Sequence, residues 1–223
     1  IFLVEDAAQA HGSSLKGIKA GAFGVASGFS FFSTKVMTTG EGGIVTTNSK
    51  EFADKMKSMR EFGKLPRGNI TNYHEYFGYN WRMPEVSALM GIKQLEKLEE
   101  FKKRRQEIAE RYNNNLGNIK GVHKIQPVEF ANHNFFKYML ILEKYNRNTI
   151  HKLMEEANIS PSGYVYEIPL HKQPVFKEYN DLSLPKTEYL CSNHFCLPIF
   201  YSMTNDQVDY VSEMFINILD KVD

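Results

Sequence analysis

Lys35 is the first side chain in this sequence that invites a chemical reading. It stands in a turn-rich loop, Ser33 to Gly43, beside Gly40, Gly42 and Gly43 and just after an apolar segment. A lysine becomes a nucleophile when its surroundings favour the free amine, and its usual covalent product is a Schiff base with an aldehyde. Taken alone, a lysine in such a turn reads as solvated. Asp6 changes the weighing. It closes the run Ile1-Phe2-Leu3-Val4-Glu5-Asp6, at the carboxyl end of a segment patterned as a strand. Ligands of open α/β sheets bind at that end. A carboxylate there can hold the ring nitrogen of a pyridoxal cofactor protonated, which makes the ring an electron sink. Ser30, five residues before Lys35, adds a hydroxyl suited to a phosphate. Each feature has an ordinary explanation, whether a strand cap, a small filler or a surface turn. The three together are more informative.

The elements that must position these residues follow from periodicity. Ile1 to Val4 is a continuous apolar run, as in a strand covered on both faces. Phe29–Phe32 and Ile44–Thr47 read as two further strands, and we expect a mostly parallel, helix-flanked sheet. Ser49 is placed to cap a helix running to about Phe62. Pro84 suits the first turn of a helix extending to about Asn115, with Val86, Leu89, Ile92, Leu95, Leu98 and Phe101 on one stripe. Beyond Gly117 the pattern shifts to a strand over Phe135–Leu142, a helix over Thr149–Ala157 and a closing amphipathic helix over Asn205–Val222. These divide the chain into a domain over 1–112 and a smaller one over 113–223.

The motifs carry a resemblance. Glu-Asp-Ala-Ala-Gln-Ala-His-Gly (5–12), Phe-Ser-Phe-Phe-Ser-Thr-Lys (29–35) and Thr-Thr-Gly-Glu-Gly-Gly (38–43) resemble the pyridoxal-phosphate-dependent nucleotide-sugar aminotransferases of the DegT/DnrJ/EryC1/StrS family. Gly-Tyr-Asn-Trp-Arg-Met (78–83) and Pro-Leu-His-Lys-Gln-Pro (169–174) match in order along the chain. The resemblance implies an α/β fold of the aspartate aminotransferase type (fold type I), with the large domain truncated and followed by a small carboxyl-terminal α/β domain. It implies pyridoxal 5'-phosphate as cofactor, with Lys35 as the Schiff-base lysine and Asp6 at the pyridine nitrogen. Gln9 would stand beside the ring, Ser30 at the phosphate, and Asn80 at the phosphate of a partner subunit's cofactor, which implies a homodimer. His171 matches a position near the substrate cleft. The implied reaction moves an amino group from an amino acid, expected to be glutamate, to a keto group of a nucleotide-linked sugar. Some family members carry histidine at the lysine position and dehydrate sugars instead; Lys35 favours transamination. Family members carry further chain ahead of the segment matching Glu5-Asp6. The sequence is therefore expected to be a carboxyl-terminal portion, binding cofactor weakly and inactive alone. A non-catalytic fragment or degenerate homologue that only dimerises or binds sugar nucleotide is the competing expectation.

Composition narrows the field further. The 223 residues carry 27 Lys plus Arg against 26 Asp plus Glu, a net charge of +1. That balance disfavours a protein built to coat nucleic acid or anionic membrane. The basic run 102–105, preceded by Glu96, Glu99 and Glu100, reads as a solvated helix face rather than a nucleic-acid contact. No apolar run reaches the length of about 20 residues needed to span a bilayer. Cys191 and Cys196 form no disulfide framework, which points to a reducing cytoplasm, and with His194 they lack a second ligand pair for a metal. His11 is expected to be structural, and Arg82 and Glu85 to form local ion pairs.

Overall fold

The computed structural model describes all residues, Ile1–Asp223. The chain divides into two compact units. One comprises Ile1–Lys103 with Val128–Phe136, the other Arg104–Pro127 with Lys137–Asp223.

The first unit is built on a three-stranded sheet of β1 (Val4–Asp6), β4 (Ala26–Ser30) and β5 (Gly43–Thr46), in the order β1-β4-β5. Strands β1 and β4 run parallel, and β4 and β5 antiparallel, so the sheet is mixed rather than mostly parallel. Pairing of β1 begins at Val4, opposite Ala26, and not at Ile1. The turn at Gly24 ends the neighbouring strand there, and only the Leu3 carbonyl reaches it, accepting from the Val25 N–H. A ribbon of β2 (Ser14–Leu15), β3 (Ile18–Lys19) and β7 (Ala131–Asn132) accompanies the sheet in the order β3-β2-β7.

Helix α1 (Lys50–Arg60) starts where Ser49 accepts a hydrogen bond from the Phe52 N–H. The long helix expected after Pro84 is two helices, α2 (Glu85–Glu96) and α3 (Leu98–Leu116), separated at Lys97. No glycine or proline marks the break; the apolar stripe simply changes environment. Val86, Leu89, Ile92 and Leu95 are exposed, whereas Leu98 and Phe101 are buried with Phe31, Val36 and Met37 in the core of the first unit.

The second unit holds a three-stranded antiparallel sheet of β6 (Val122–Lys124), β8 (Tyr138–Leu142) and β9 (His194–Leu197), with β8 central. The strand expected from Phe135 starts at Tyr138, because Phe135 is in the left-handed region and begins no ladder. Helices α4 (Arg147–Glu156), α5 (Pro185–Asn193) and α6 (Asn205–Val222) complete the unit. Asn146 caps α4, and a reciprocal Thr204–Gln207 box caps α6. The fully buried Leu140, Leu142, Ile150, Phe195, Val208 and Phe215 form its core.

The basic run at 102–105 is not a solvated face. Lys102 is buried, bonding the Gly12 carbonyl at 3.3 Å, and Arg105 is buried, donating to the Ile199 carbonyl at 3.2 Å. Arg104 donates to the Met203 carbonyl at 2.6 Å. Only Lys103 of the four is exposed, so no cationic surface forms there. No helix is long and apolar enough to cross a membrane.

Candidate active site

Strand alternation separates Glu5 from Asp6. Glu5 accepts hydrogen bonds from the N–H groups of Gly21, Phe23 and Gly24 at 2.8, 2.7 and 2.8 Å. Burial alone would push its carboxyl up, but these three amides outweigh it and hold the group below the usual carboxylate range. Asp6 points to the opposite face, is exposed, and accepts the Ala8 N–H at 3.1 Å. The register sets Asp6 beside Gly28, and Ser30 follows two residues along the same face at the carboxyl edge of β4. A Cβ added at Gly28 would meet nothing within 4 Å. The patch is thus an open face bearing one carboxylate and one hydroxyl, with Ser30 Oγ accepting the Phe32 N–H at 3.3 Å.

Lys35 leaves β4 through a braced loop. The Phe31 carbonyl accepts from the Thr39 N–H at 3.0 Å and from Thr38 Oγ1 at 2.9 Å, and the Phe31 N–H donates to the Gly42 carbonyl at 2.9 Å. Val36 and Met37 are buried in the core beneath. Between these anchors, the Lys35 N–H closes a turn onto the Phe32 carbonyl at 3.0 Å. The Lys35 ammonium lies 5.0 Å from the centroid of the Phe136 ring. His11 is 2% exposed, with its ring 5.5 Å from that of Phe29 and 5.9 Å from that of Phe31. Neither of its ring nitrogens makes a hydrogen bond of good geometry, although the Ser30 backbone is near enough to favour the charged form slightly. Burial outweighs this and, with the Lys35 charge, holds His11 toward the neutral form.

The other candidates have partners of their own. Gln9 has an exposed side chain, and its carbonyl accepts from Asn134 Nδ2 at 2.8 Å. Asn80 is exposed between Tyr79 and Trp81, whose rings stack at 4.2 Å. Arg82 pairs with Glu61 at 2.7 Å rather than with its neighbour Glu85. In the second unit, His171 is buried and its Nε2 meets Glu188 Oε1 at 2.9 Å. It lines an apolar groove of about 510 Å³ with Tyr166, Phe176 and Tyr179. The Leu184 N–H and then His171 hold the Glu188 carboxyl low. Cys191 and Cys196 are free and buried, and burial pushes the Cys196 thiol up to about 11.

Two contributors escaped sequence reasoning. Glu5 figured in the sequence only as the neighbour of Asp6, and the register from Val4 assigns the two to opposite faces. Asn134 lies in an aperiodic stretch that carries no local signal.

The donor set fits pyridoxal phosphate: an exposed carboxylate, an unfilled glycine position beside it, a hydroxyl two residues further along that strand and a primary amine on the following loop. No group of three or more His, Cys, Asp or Glu side chains is arranged to hold a metal ion.

The model of the DegT/DnrJ/EryC1/StrS aminotransferase family matches residues 1–216. GDP-perosamine synthase of Escherichia coli O157:H7 is 34% identical over 96% of this chain and 57% of its own length. The putative pyridoxal phosphate-dependent aminotransferase EpsN of Bacillus subtilis is 30% identical over 99% of this chain and 57% of its own. The solved structure of Helicobacter pylori PseC, an aminotransferase involved in the biosynthesis of pseudoaminic acid, superposes with a TM-score of 0.92 at 23% identity. It aligns with 99% of this chain and 60% of its own. The chain therefore spans little more than half the length of the relatives it matches, and within that span it has their α/β fold. It belongs to the DegT/DnrJ/EryC1/StrS aminotransferase family.

Proposed function

We propose that this chain is part of a pyridoxal-phosphate-dependent aminotransferase that passes an amino group from an amino acid, glutamate by preference, to a keto group of a nucleotide-linked sugar for glycan biosynthesis. The observation that carries the reading is the open strand face that bears Asp6 opposite Gly28 and Ser30 two residues further along, with Lys35 on the loop that follows. Relatives bearing the name GDP-perosamine synthase support a sugar-nucleotide acceptor.

Each residue then has a role suited to its setting. Lys35 Nζ would hold the cofactor covalently at rest and, once free, would carry a proton from the donor's α-carbon to the cofactor carbon that bears the nitrogen. Asp6, on the open face of β1, would meet the pyridine nitrogen and hold its proton. Ser30 Oγ would bind the cofactor's phosphate. Bound pyridoxal phosphate supplies the aldehyde carbon that carries the amino group and the ring that takes up the electron pair released at the α-carbon. Gln9 stands beside that ring, and Asn80 serves the neighbouring subunit's site in a homodimer. His171, at the floor of its groove, contacts substrate. The stretch 1–112 acts as the cofactor-bearing domain and 113–223 as the smaller one, in a cytoplasmic enzyme.

The test is amino transfer by the intact enzyme. Incubating purified nucleotide keto-sugars with glutamate should yield an amino sugar and 2-oxoglutarate with wild-type protein and none with Lys35→Ala. Turnover that survives in Lys35→Ala, or dehydration without nitrogen transfer, would overturn the reading.

A further inference from the structure

The segment Val128–Phe136 belongs to the first unit although its flanking residues belong to the second. It is held there by specific bonds. Strand β7 pairs with β2, and the Lys16 N–H donates to the Phe130 carbonyl at 3.1 Å. Asn134 is 1% exposed and every polar group of its side chain is used. Its Nδ2 donates to the carbonyls of Gln9 at 2.8 Å and His11 at 3.0 Å, and its Oδ1 accepts the Phe136 N–H at 3.0 Å. Its own N–H donates to Ser13 Oγ at 3.1 Å. Two aromatic residues in this segment, Phe130 and Phe135, sit at φ 62° and 47°. Bulky side chains hold that conformation only when the surroundings impose it. The outcome is that Phe136 packs on the Phe31–Val36–Met37 core and offers its ring to the Lys35 ammonium at 5.0 Å.

We propose that Asn134 and Phe136 are positioning residues for Lys35: Asn134 ties the Gln9–Ser13 turn to the Phe136 backbone, and the Phe136 ring is the rest on which the Lys35 ammonium lies. A lysine at the tip of a glycine-rich loop otherwise samples many rotamers. A cation on an aromatic face is held in place. Through one buried amide, the turn carrying Gln9 and the seat of the nucleophile are fixed relative to each other. The inference rests on the reading of Lys35 as the cofactor lysine, but its test uses no cofactor, so the two fail independently.

The test is competitive acetylation of the wild-type chain and variants at one alkaline pH, read lysine by lysine by mass spectrometry. Lys50, whose side chain is 88% exposed, serves as internal reference. Phe136→Leu keeps the apolar packing and removes the ring. Lys35 should then acetylate about two- to fivefold faster relative to Lys50, the loss expected for an exposed cation–ring contact. Phe136→Tyr should restore the wild-type ratio, and Asn134→Ala should reproduce the leucine effect by releasing the Phe136 backbone. Phe136→Met replaces the leucine variant if circular dichroism shows that variant unfolded. A Lys35 to Lys50 ratio unchanged in the ringless variant, or changed equally in the tyrosine variant, overturns the role of Phe136. A normal ratio in folded Asn134→Ala overturns the role of Asn134. A general change at all lysines would mark a merely structural effect and would also overturn the proposal.

Discussion

Replacing Glu5 with glutamine should destabilise the first unit by about 2 kcal/mol. The carboxylate accepts three backbone N–H groups at 2.7 to 2.8 Å, from Gly21, Phe23 and Gly24. Hydrogen bonds to a charged acceptor each contribute about 1.5–3 kcal/mol, and a buried donor left unpaired costs about 1–3 kcal/mol. Glutamine keeps one carbonyl oxygen, which can satisfy part of the cluster, and turns an NH2 toward the rest. At least one amide is orphaned, and the charge is lost from all three. Two of the three bonds are partly buried and one is exposed, which places the sum near the lower end. Urea unfolding followed by fluorescence is the assay. Trp81 is the only tryptophan and lies in the same unit as Glu5, so it reports the relevant transition. The pH dependence gives a second readout. Because the folded carboxyl is held low, its contribution is fully present above the unfolded value of about 4.3 and is lost as pH falls below it. The gap between wild type and Glu5→Gln should therefore close on acidification. A variant within about 0.5 kcal/mol of wild type at neutral pH, or a gap that does not narrow as pH falls below the unfolded value of about 4.3, would refute the assignment of Glu5 to the turn.

Other perturbations have equally definite outcomes. Gly63 has φ 74° and a Cβ there would stand 1.7 Å from the Tyr76 carbonyl oxygen, so Gly63→Ala should disrupt the loop leading to Asn80 and cost about 3 kcal/mol by urea titration. Tyr112 is fully buried and its hydroxyl donates to the Pro198 carbonyl at 2.8 Å, so Tyr112→Phe should cost about 1 kcal/mol in the second unit, measured by hydrogen exchange. Arg111, and then Asn115, hold the Asp209 carboxyl down to about 2. Its stabilisation is complete above the unfolded value of about 3.9 and is lost as pH falls toward 2; Asp209→Asn should flatten that part of the acid-denaturation curve.

Legibility in the sequence followed the range of the signal. Helices α1, α4 and α6 were visible because capping and a 3.6-residue period act locally, and Asn205–Val222 matches its expected span residue for residue. The break at Lys97 was invisible, since the residue is a good helix former and the apolar stripe continues through it. The mixed direction of the sheet was hidden as well, because β4 and β5 read alike whether paired parallel or antiparallel. At the candidate site, the residue types were legible from motif spacing. Their placement was not: only strand register separates Asp6 on the open face from Glu5 under the Gly21–Gly24 turn. The burial of Lys102 and Arg105 shows the converse, for their bonds to the Gly12 and Ile199 carbonyls, distant in sequence, leave no local sign.

The central claim is that Lys35 is the residue that takes the cofactor. Borohydride reduction of the wild-type chain incubated with millimolar pyridoxal phosphate, followed by peptide mapping, tests it most directly. The reduced adduct should form on Lys35 in preference to every other lysine and be lost in Lys35→Ala. An adduct spread over the surface lysines, unchanged by that substitution, would contradict it.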